Sequence, residues 1–256
     1  VKRTEQYFSE NNIAPYQEVS IEIVGTEDTY GPHKQNIEPR EVMAKYGLQH
    51  NSPKALSFAS AELAYLATSA TPGMTAFGIS RTKPQPLMRV HSTLIDKTSV
   101  PVSVQLNDKV IIEQCYLSEP DSLNSELGEF GFNQTELGSA KPKSDWQEVT
   151  LEQLAYARSG DKGDNANIGV IARKPEYMAL LSQQLTADVI VKYFSHTIKG
   201  EVTRYEIPGF NALNFFITKA LGGGGTASVR LDSQAKTFAQ MLLSFKIKVP
   251  INFNLL

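Results

Sequence analysis

The densest run of chemistry-bearing side chains is Arg158-Ser159-Gly160-Asp161-Lys162-Gly163-Asp164-Asn165-Ala166-Asn167. Its two glycines permit left-handed backbone, so consecutive N–H groups could converge on an anion. Arg158 and Lys162 would add positive charge, and Ser159, Gly163, Asn165 and Asn167 belong to the same anion-binding set. Asp161 and Asp164 could instead transfer a proton or offer oxygen ligands to Mg²⁺ or Ca²⁺. The alternative is a well-ordered hairpin loop whose Asp and Asn side chains satisfy its own backbone.

Gly222, Gly223, Gly224 and Gly225 form the second candidate, with Arg230 and Asp232 just beyond. Four consecutive glycines lose much entropy on folding. An ordered run therefore implies close backbone approach or unusual dihedrals. Such a run could admit a phosphate or a planar group; it could equally be a flexible connection before the last helix. A third group, Glu27, Tyr30 and His33, puts a carboxylate, a phenol and an imidazole in one loop suited to proton transfer or simply to solvent. Arg81, Lys83, Arg89 and His91 flank a proline-rich bend and could hold an acidic substrate or face water.

Several chemistries are denied. In an EF-hand register started at Asp161, Ala172 falls where the last glutamate ligand belongs. Gly163 is followed by Asp164, so the run is no P-loop. The four glycines do not match the dinucleotide-binding spacing after a strand. There is no nucleophile elbow. The four histidines show no i, i+2 or i, i+4 pairing that would suggest a metal site. The single cysteine, Cys115, excludes an intrachain disulfide and a multi-cysteine cluster, and it suits a reducing, cytoplasmic compartment.

These residues need elements to position them. The chain has 256 residues, 41% of them hydrophobic, which is enough for one large or two modest domains with packed cores. A net charge of -2 lacks the basic surplus of a nucleic-acid or anionic-membrane binder, and no apolar run is long enough to cross a bilayer.

Residues 2–10 suggest the end of a helix, and the absence of an initiator methionine suggests a C-terminal part of a longer protein. Val19, Ile21 and Ile23 alternate with Ser20 and Glu22 as in a half-buried strand. Residues 40–49 fit a helix or a strand, with a lean to strand. Ser52-Pro53 should cap a helix that buries Leu56, Ala59, Leu63 and Leu66. Residues 100–116 read as a hairpin about Asn107-Asp108. Residues 118–145 read as a linker.

Beyond the linker, a hairpin brackets the polar run. Pro175 and Thr186 start helices, and strands follow at 200–206 and 213–217. Asp232 caps a helix burying Ala235, Phe238 and Leu242, and Phe245, Ile247 and Val249 end the domain as a strand. From Ala166 the order is strand, helix, strand, strand, helix, strand, which is ferredoxin-like. Residues 151–158 would be one added strand.

The run Leu154-Ala155-Tyr156-Ala157-Arg158-Ser159-Gly160-Asp161-Lys162-Gly163-Asp164, continuing Asn165-Ala166-Asn167-Ile168-Gly169-Val170, resembles the signature of the acyclic terpene utilisation (AtuA-like) proteins. Arg204-Tyr205-Glu206, Ala212-Leu213-Asn214-Phe215 and Ala220-Leu221-Gly222-Gly223-Gly224-Gly225-Thr226 are similar to the same family, as are Tyr30-Gly31-Pro32-His33 and Pro72-Gly73 upstream.

The resemblance implies an α/β and α+β architecture. The tail of an α/β domain at 1–117 would be joined by the linker 118–145 to a ferredoxin-like domain at 146–256. It also implies a role in the breakdown of terpene or branched acyl chains through CoA thioesters. The expected protein is an enzyme or enzyme subunit acting on an acyl-CoA or related acidic metabolite. Asp161 or Asp164 would transfer the proton, while Arg158, Lys162 and Arg230 hold charge. The alternative is a non-catalytic subunit-binding or ligand-sensing module. The expected partners are an acidic small molecule and further copies of the chain, not nucleic acid or membrane; no cofactor is demanded by the sequence.

Overall fold

The computed structural model describes residues 1–35, 38–69, 72–75, 82–91, 93–96, 99–100, 103–107, 109–112, 146–207, 209–253 and 255. The expected linker at 118–145, together with Arg81, Cys115 and Pro208, lies outside them.

The first unit opens with helix α1 (Lys2–Glu10), whose Thr4 and Phe8, four residues apart, share the buried face. Strand β1 (Glu18–Val24) pairs antiparallel with β2 (Met43–Gln49), which settles residues 40–49 as strand. Helix α2 (Pro53–Ala64) starts as the Ser-Pro pair predicts: Ser52 Oγ accepts the Ala55 N–H and Pro53 occupies the first turn. Its buried residues are Ala55 and Ala59, while Leu66 is exposed at the start of the short helix α3 (Leu66–Ser69). Tyr7 stacks on Phe58 at 3.9 Å, and Phe8 sits against Tyr16 and His50. The hairpin about Asn107 is present as β3 (Ser103–Leu106) and β4 (Lys109–Ile112).

One expectation inverts. Val19 and Ile21 are exposed, and Ser20 and Glu22 face inward. The alternation fixes a period of two but not which face meets the protein. Here the polar face is the occupied one. Glu22 pairs with the cross-strand Lys45 Nζ at 3.2 Å, and that ammonium also donates to Val229 O at 2.7 Å. Gly47 lies against Val229 so tightly that a Cβ would collide with its carbonyl.

The second unit holds nearly all of the core. Its strands are β5 (Trp146–Thr150), β6 (Ala155–Lys162), β7 (Asn165–Ala172), β8 (Val202–Ile207), β9 (Ala212–Ile217) and β10 (Lys246–Pro250). Its helices are α4 (Met178–Gln184), preceded by a 3-10 turn at Pro175–Tyr177, α5 (Ala187–Tyr193) and α6 (Phe238–Leu243). Thr186 Oγ1 accepts the Val189 N–H, as its capping role requires. Ile168, Val170, Leu213 and Phe215 point from one sheet face into the helices, against Leu181, Ile190, Phe194 and Leu242.

The sheet is fully antiparallel, in the order β6-β7-β9-β8. Strand β9 therefore lies between β7 and β8, which run parallel to one another, a split β-α-β arrangement. The added strand is β6, and it flanks β7. The last strand, β10, does not join this sheet but pairs with β5, with Trp146 opposite Pro250.

The polar run is not a loop. Arg158 to Lys162 belong to β6 and Asn165 to Asn167 to β7, with only Gly163-Asp164 as the turn. Gly163 has φ +68, which suits a tight two-residue hairpin. Strand pairing takes up the β7 donors and those of β6 that face β7, and the extended backbone spreads the rest along an edge rather than converging them on one point. Asp232 also differs from the expected cap. Helix α6 begins at Phe238, and Asp232 receives the N–H groups of Lys236 and Thr237 in the turn before it.

Candidate functional site

The two polar candidates of the sequence come together, but as a brace. Asp164 Oδ1 accepts the Gly223 N–H at 2.6 Å, and the Asp164 carbonyl accepts the N–H groups of Ala220 and Leu221. Gly222, Gly223 and Gly224 have φ of +67, +108 and +87, so the glycine run is an ordered left-handed path rather than a flexible connection. A Cβ on Gly224 would lie 2.7 Å from Gly163 O. Gly225 approaches the Asp161 carboxylate and Gln234. Ser159 is buried and bridges β6 to α6: its hydroxyl donates to Ala235 O at 2.6 Å and accepts the Ala239 N–H at 2.8 Å. Lys162 Nζ turns back on Asp161 O, Asn165 Oδ1 accepts the Lys219 N–H, and Asn167 donates to Asn214. Arg158 is exposed on the sheet face away from the helices.

The glycine path delivers Arg230 to a cleft of about 230 Å³ at the junction of the two units. The first unit contributes Ser20 and Glu22 from β1, and Asp28 and Thr29 from a 3-10 helix (Asp28–His33). The second contributes His196 and Thr197 after α5, and Arg230, Asp232 and Thr237 before α6. Phe238 and Met241, 3% and 1% exposed, close its floor from the core side.

The local geometry explains these placements. Asp28 accepts the Ile23 N–H at 2.6 Å and the Thr26 hydroxyl at 3.1 Å, which folds the turn after β1 and fixes the carboxylate. Asp232 accepts three hydrogen bonds from Lys236 and Thr237. Glu22 is neutralised by Lys45. All three acids of the cleft are thus held by donors from the protein.

Arg230 is different. Its Nη1 donates to Thr197 O at 2.9 Å and Ala220 O at 3.1 Å. Among the described residues no carboxylate pairs with it, and no hydrogen bond involves Nη2 or Nε. Its Nε side lies against Gly222, with the Glu18 carboxylate nearby, so Nη2 is the nitrogen left to meet an anionic ligand.

The third candidate group helps close the junction. His33 Nε2–H donates to Tyr193 O at 2.8 Å, and the two rings stack at 3.8 Å. His196 Nε2–H reaches Thr29 O at 3.4 Å, and its ring lies hard against Gly31, where no side chain would fit. Burial lowers the His196 pKa, against the pull of the Thr29 and Tyr193 carbonyls and with a small push from His33. The ring is therefore neutral at pH 7. Burial raises the Tyr193 phenol to about 12, with Tyr30 adding to the shift, and its hydroxyl donates to Met241 O. Burial, then Glu27, raises Tyr30. Glu27 itself accepts the Gln35 N–H.

Sequence reasoning missed Ser20, Glu22, Asp28, Thr29, Thr197 and Thr237 as a set. The available signal was Asp28 and Thr29 inside the loop already singled out by Glu27, Tyr30 and His33. Asp161 and Asp164 do not line the cleft. Lys83, Arg89 and His91 are exposed and lie outside it too. Among the described residues no group of three or more His, Cys, Asp or Glu is placed to hold a metal ion. No helix among them is long and apolar enough to cross a membrane.

A search of curated proteins and a search of solved structures returned no match. Two family models do match. One, described as acyclic terpene utilisation family protein AtuA, takes in residues 2–106; the other, the AtuA ferredoxin-like domain, takes in residues 149–248. The cleft draws on both regions, with β1 and the 3-10 helix in the first and Arg230 in the second. The chain belongs to the acyclic terpene utilisation family and carries its ferredoxin-like domain.

Proposed function

We propose that the chain is an enzyme, or an enzyme subunit, that acts on an acidic acyl metabolite such as a CoA thioester in the catabolism of terpene-derived or branched acyl chains. The family supports the pathway class. The observation that carries the site is Arg230, held from one side by carbonyls in a cleft whose own acids already have partners. A carboxylate, thioester oxygen or phosphate of the ligand would take the open side of the guanidinium. Neutral His196 is the cleft group able to accept a proton near pH 7. The cleft has room for an acyl head, so a CoA moiety would extend outward.

Asp164 then serves as a positioning residue through Gly223, and Asp161 stays a proton-transfer candidate beside Gly225. The single cysteine favours a reducing, cytoplasmic setting.

Calorimetric titration of the chain with CoA, isovaleryl-CoA and geranyl-CoA, repeated with Arg230→Met, tests this. Binding of an acyl-CoA that weakens at least tenfold in the variant is the expected result. Equal affinities in the two proteins would remove Arg230 from the site, and no heat from any ligand would sink the acyl-CoA assignment.

A second reading, the non-catalytic subunit-binding or ligand-sensing module, draws on Asp164, whose carboxylate is engaged by Gly223 as a structural residue's would be.

A further inference from the structure

The cleft at the junction is polarised from one wall to the other. On the first-unit wall, Glu22 Oε2 accepts the Ser20 hydroxyl at 3.0 Å and the Lys45 ammonium at 3.2 Å. Glu22 Oε1 has no hydrogen-bond partner among the described residues. Asp28 stands beside it, because Asp28 Oδ2 accepts the N–H of Ile23, the next residue along β1. Asp28 Oδ1 accepts only the Thr26 hydroxyl. An ionised carboxylate has about four lone-pair sites, so each of these two acids keeps about half of its accepting capacity.

The second-unit wall carries donors. Arg230 Nη2 is open, and the Thr197 hydroxyl accepts Nη1 at 3.4 Å while its own proton has no partner among the described residues. Asp232, on this wall too, is more fully used: Thr237 gives Oδ2 both its N–H and its hydroxyl, and Lys236 gives Oδ1 its N–H. Two bridges hold the walls against each other. Lys45 ties Glu22 to the carbonyl of Val229, the residue before Arg230. His196, the residue before Thr197, reaches the carbonyl of Thr29, the residue after Asp28.

We propose that the ligand of this cleft is a hydroxylated acyl group. Its carbonyl or carboxylate oxygen accepts from Arg230 Nη2, and a hydroxyl beyond the α-carbon donates to Glu22 Oε1 or to Asp28. This names the substrate class of the site proposed above and rests on that reading of the cleft. Water meets the open carboxylate oxygens in the empty cleft. A ligand that displaces this water has to donate in its place, or it strands charged acceptors. The Glu22 side chain is only 17% exposed, so a bound ligand covers most of what water still reaches. An unsubstituted alkyl head has no donor to give, and the buried Phe238 and Met241 offer it little surface in return. Lys45 already compensates the charge of Glu22, so a neutral hydroxyl suffices where an ammonium would otherwise be required.

Calorimetric titration of the full chain with isovaleryl-CoA and with 3-hydroxyisovaleryl-CoA tests the proposal, each repeated with the corresponding free acid. The hydroxylated ester should bind about tenfold tighter or more, as for a hydrogen bond to a charged acceptor. Glu22→Gln and Asp28→Asn should reduce that preference while leaving the affinity for isovaleryl-CoA unchanged; a merely structural role would weaken both esters alike. Arg230→Met should weaken both esters equally. The wild-type comparison needs no variant and decides the matter even if a substituted chain fails to fold. Equal wild-type affinities for the two esters would overturn the hydroxyl and leave the acyl-CoA reading standing. Binding of free 3-hydroxyisovalerate over isovalerate, with no heat from either ester, would keep the hydroxyl and strike the CoA thioester. Tighter binding of 3-aminoisovalerate than of 3-hydroxyisovalerate would overturn the proposal in favour of a zwitterion, a preference untouched by both acid variants would overturn the first-unit wall as its source, and no heat from any of these ligands would overturn both readings.

Discussion

Ser159 lies inside the family signature, where the sequence offers it as an anion ligand, yet the structure makes it a clamp between β6 and α6. It is 7% exposed, and both functions of its hydroxyl are taken up, one by Ala235 O and one by the Ala239 N–H. Ser159→Ala removes two hydrogen bonds at once and strands a buried donor, the Ala239 N–H, whereas Ala235 O keeps the Phe238 N–H at 3.4 Å. Each hydrogen bond is worth about 1 kcal/mol net, and the one stranded donor adds about 1 kcal/mol more, so the expected destabilisation is about 3 kcal/mol. The hole left is the size of one oxygen, below the ~10–15 Å³ of probe-occupied volume a water needs, so solvent does not restore the bonds.

The single tryptophan, Trp146, sits on β5 and packs against the core of this same unit, so its fluorescence in urea reports the relevant transition. With a slope of about 1.5–2 kcal/mol per molar, the midpoint should fall by roughly 1.5–2 M. A midpoint within about 0.3 M of wild type, on the same slope scale, would refute the clamp. The companion expectation is that Ser159→Ala, where folded, binds acyl-CoA as wild type does. Loss of binding in a stable variant would return Ser159 to the site.

The glycines of the brace should respond unequally. Gly224→Ala combines a φ of +87 with a Cβ 2.7 Å from Gly163 O, whereas Gly163→Ala has a φ of +68 and open space around it. The first should cost about 3 kcal/mol and the second about 1, from left-handed backbone with and without a backbone collision; equal urea midpoints for the two variants would show that Gly224 does not touch the turn. For pH, the folded protein holds the His196 pKa below its ordinary 6.5. The unfolded chain therefore binds the proton first as pH falls, so stability is full above about 6.5 and declines from there through the folded pKa. Thermal midpoints between pH 7 and 5 should show that decline in wild type and a flatter profile in His196→Gln. A profile unchanged by the substitution would acquit the ring.

Much of the second unit was legible because its signals are local. Thr186 caps α5, Pro175 opens a helical turn, and the order of strands and helices follows from periods of two and of three to four. The polar run misled because Gly160, Gly163 and four Asp or Asn residues read as loop chemistry. What makes strands of them is non-local: β7 is clasped between β6 and β9, and Asp164 is tied to Gly223. The inverted face of β1 has the same origin, since Ser20 and Glu22 turn inward only because Lys45 and Val229 wait there. The cleft joins Glu22 to Arg230, and no local pattern marks two residues so far apart as neighbours. The family, by contrast, was readable from the signature alone, because a motif carries tertiary information that a single-residue propensity does not.

The pairing of β5 with β10 brings the first and last strands of the second unit side by side, Trp146 facing Pro250 at one end and Thr150 facing Lys246 at the other. The unit thus begins and finishes at one place on its surface, like a loop of cord tied at its neck. Load applied across those two ends falls first on the Trp146–Pro250 pair and opens the ribbon one rung at a time, leaving β6-β7-β9-β8 unstressed until the ribbon is gone. The same closure suits circular permutation and insertion into a host chain, since neither has to span the body of the fold.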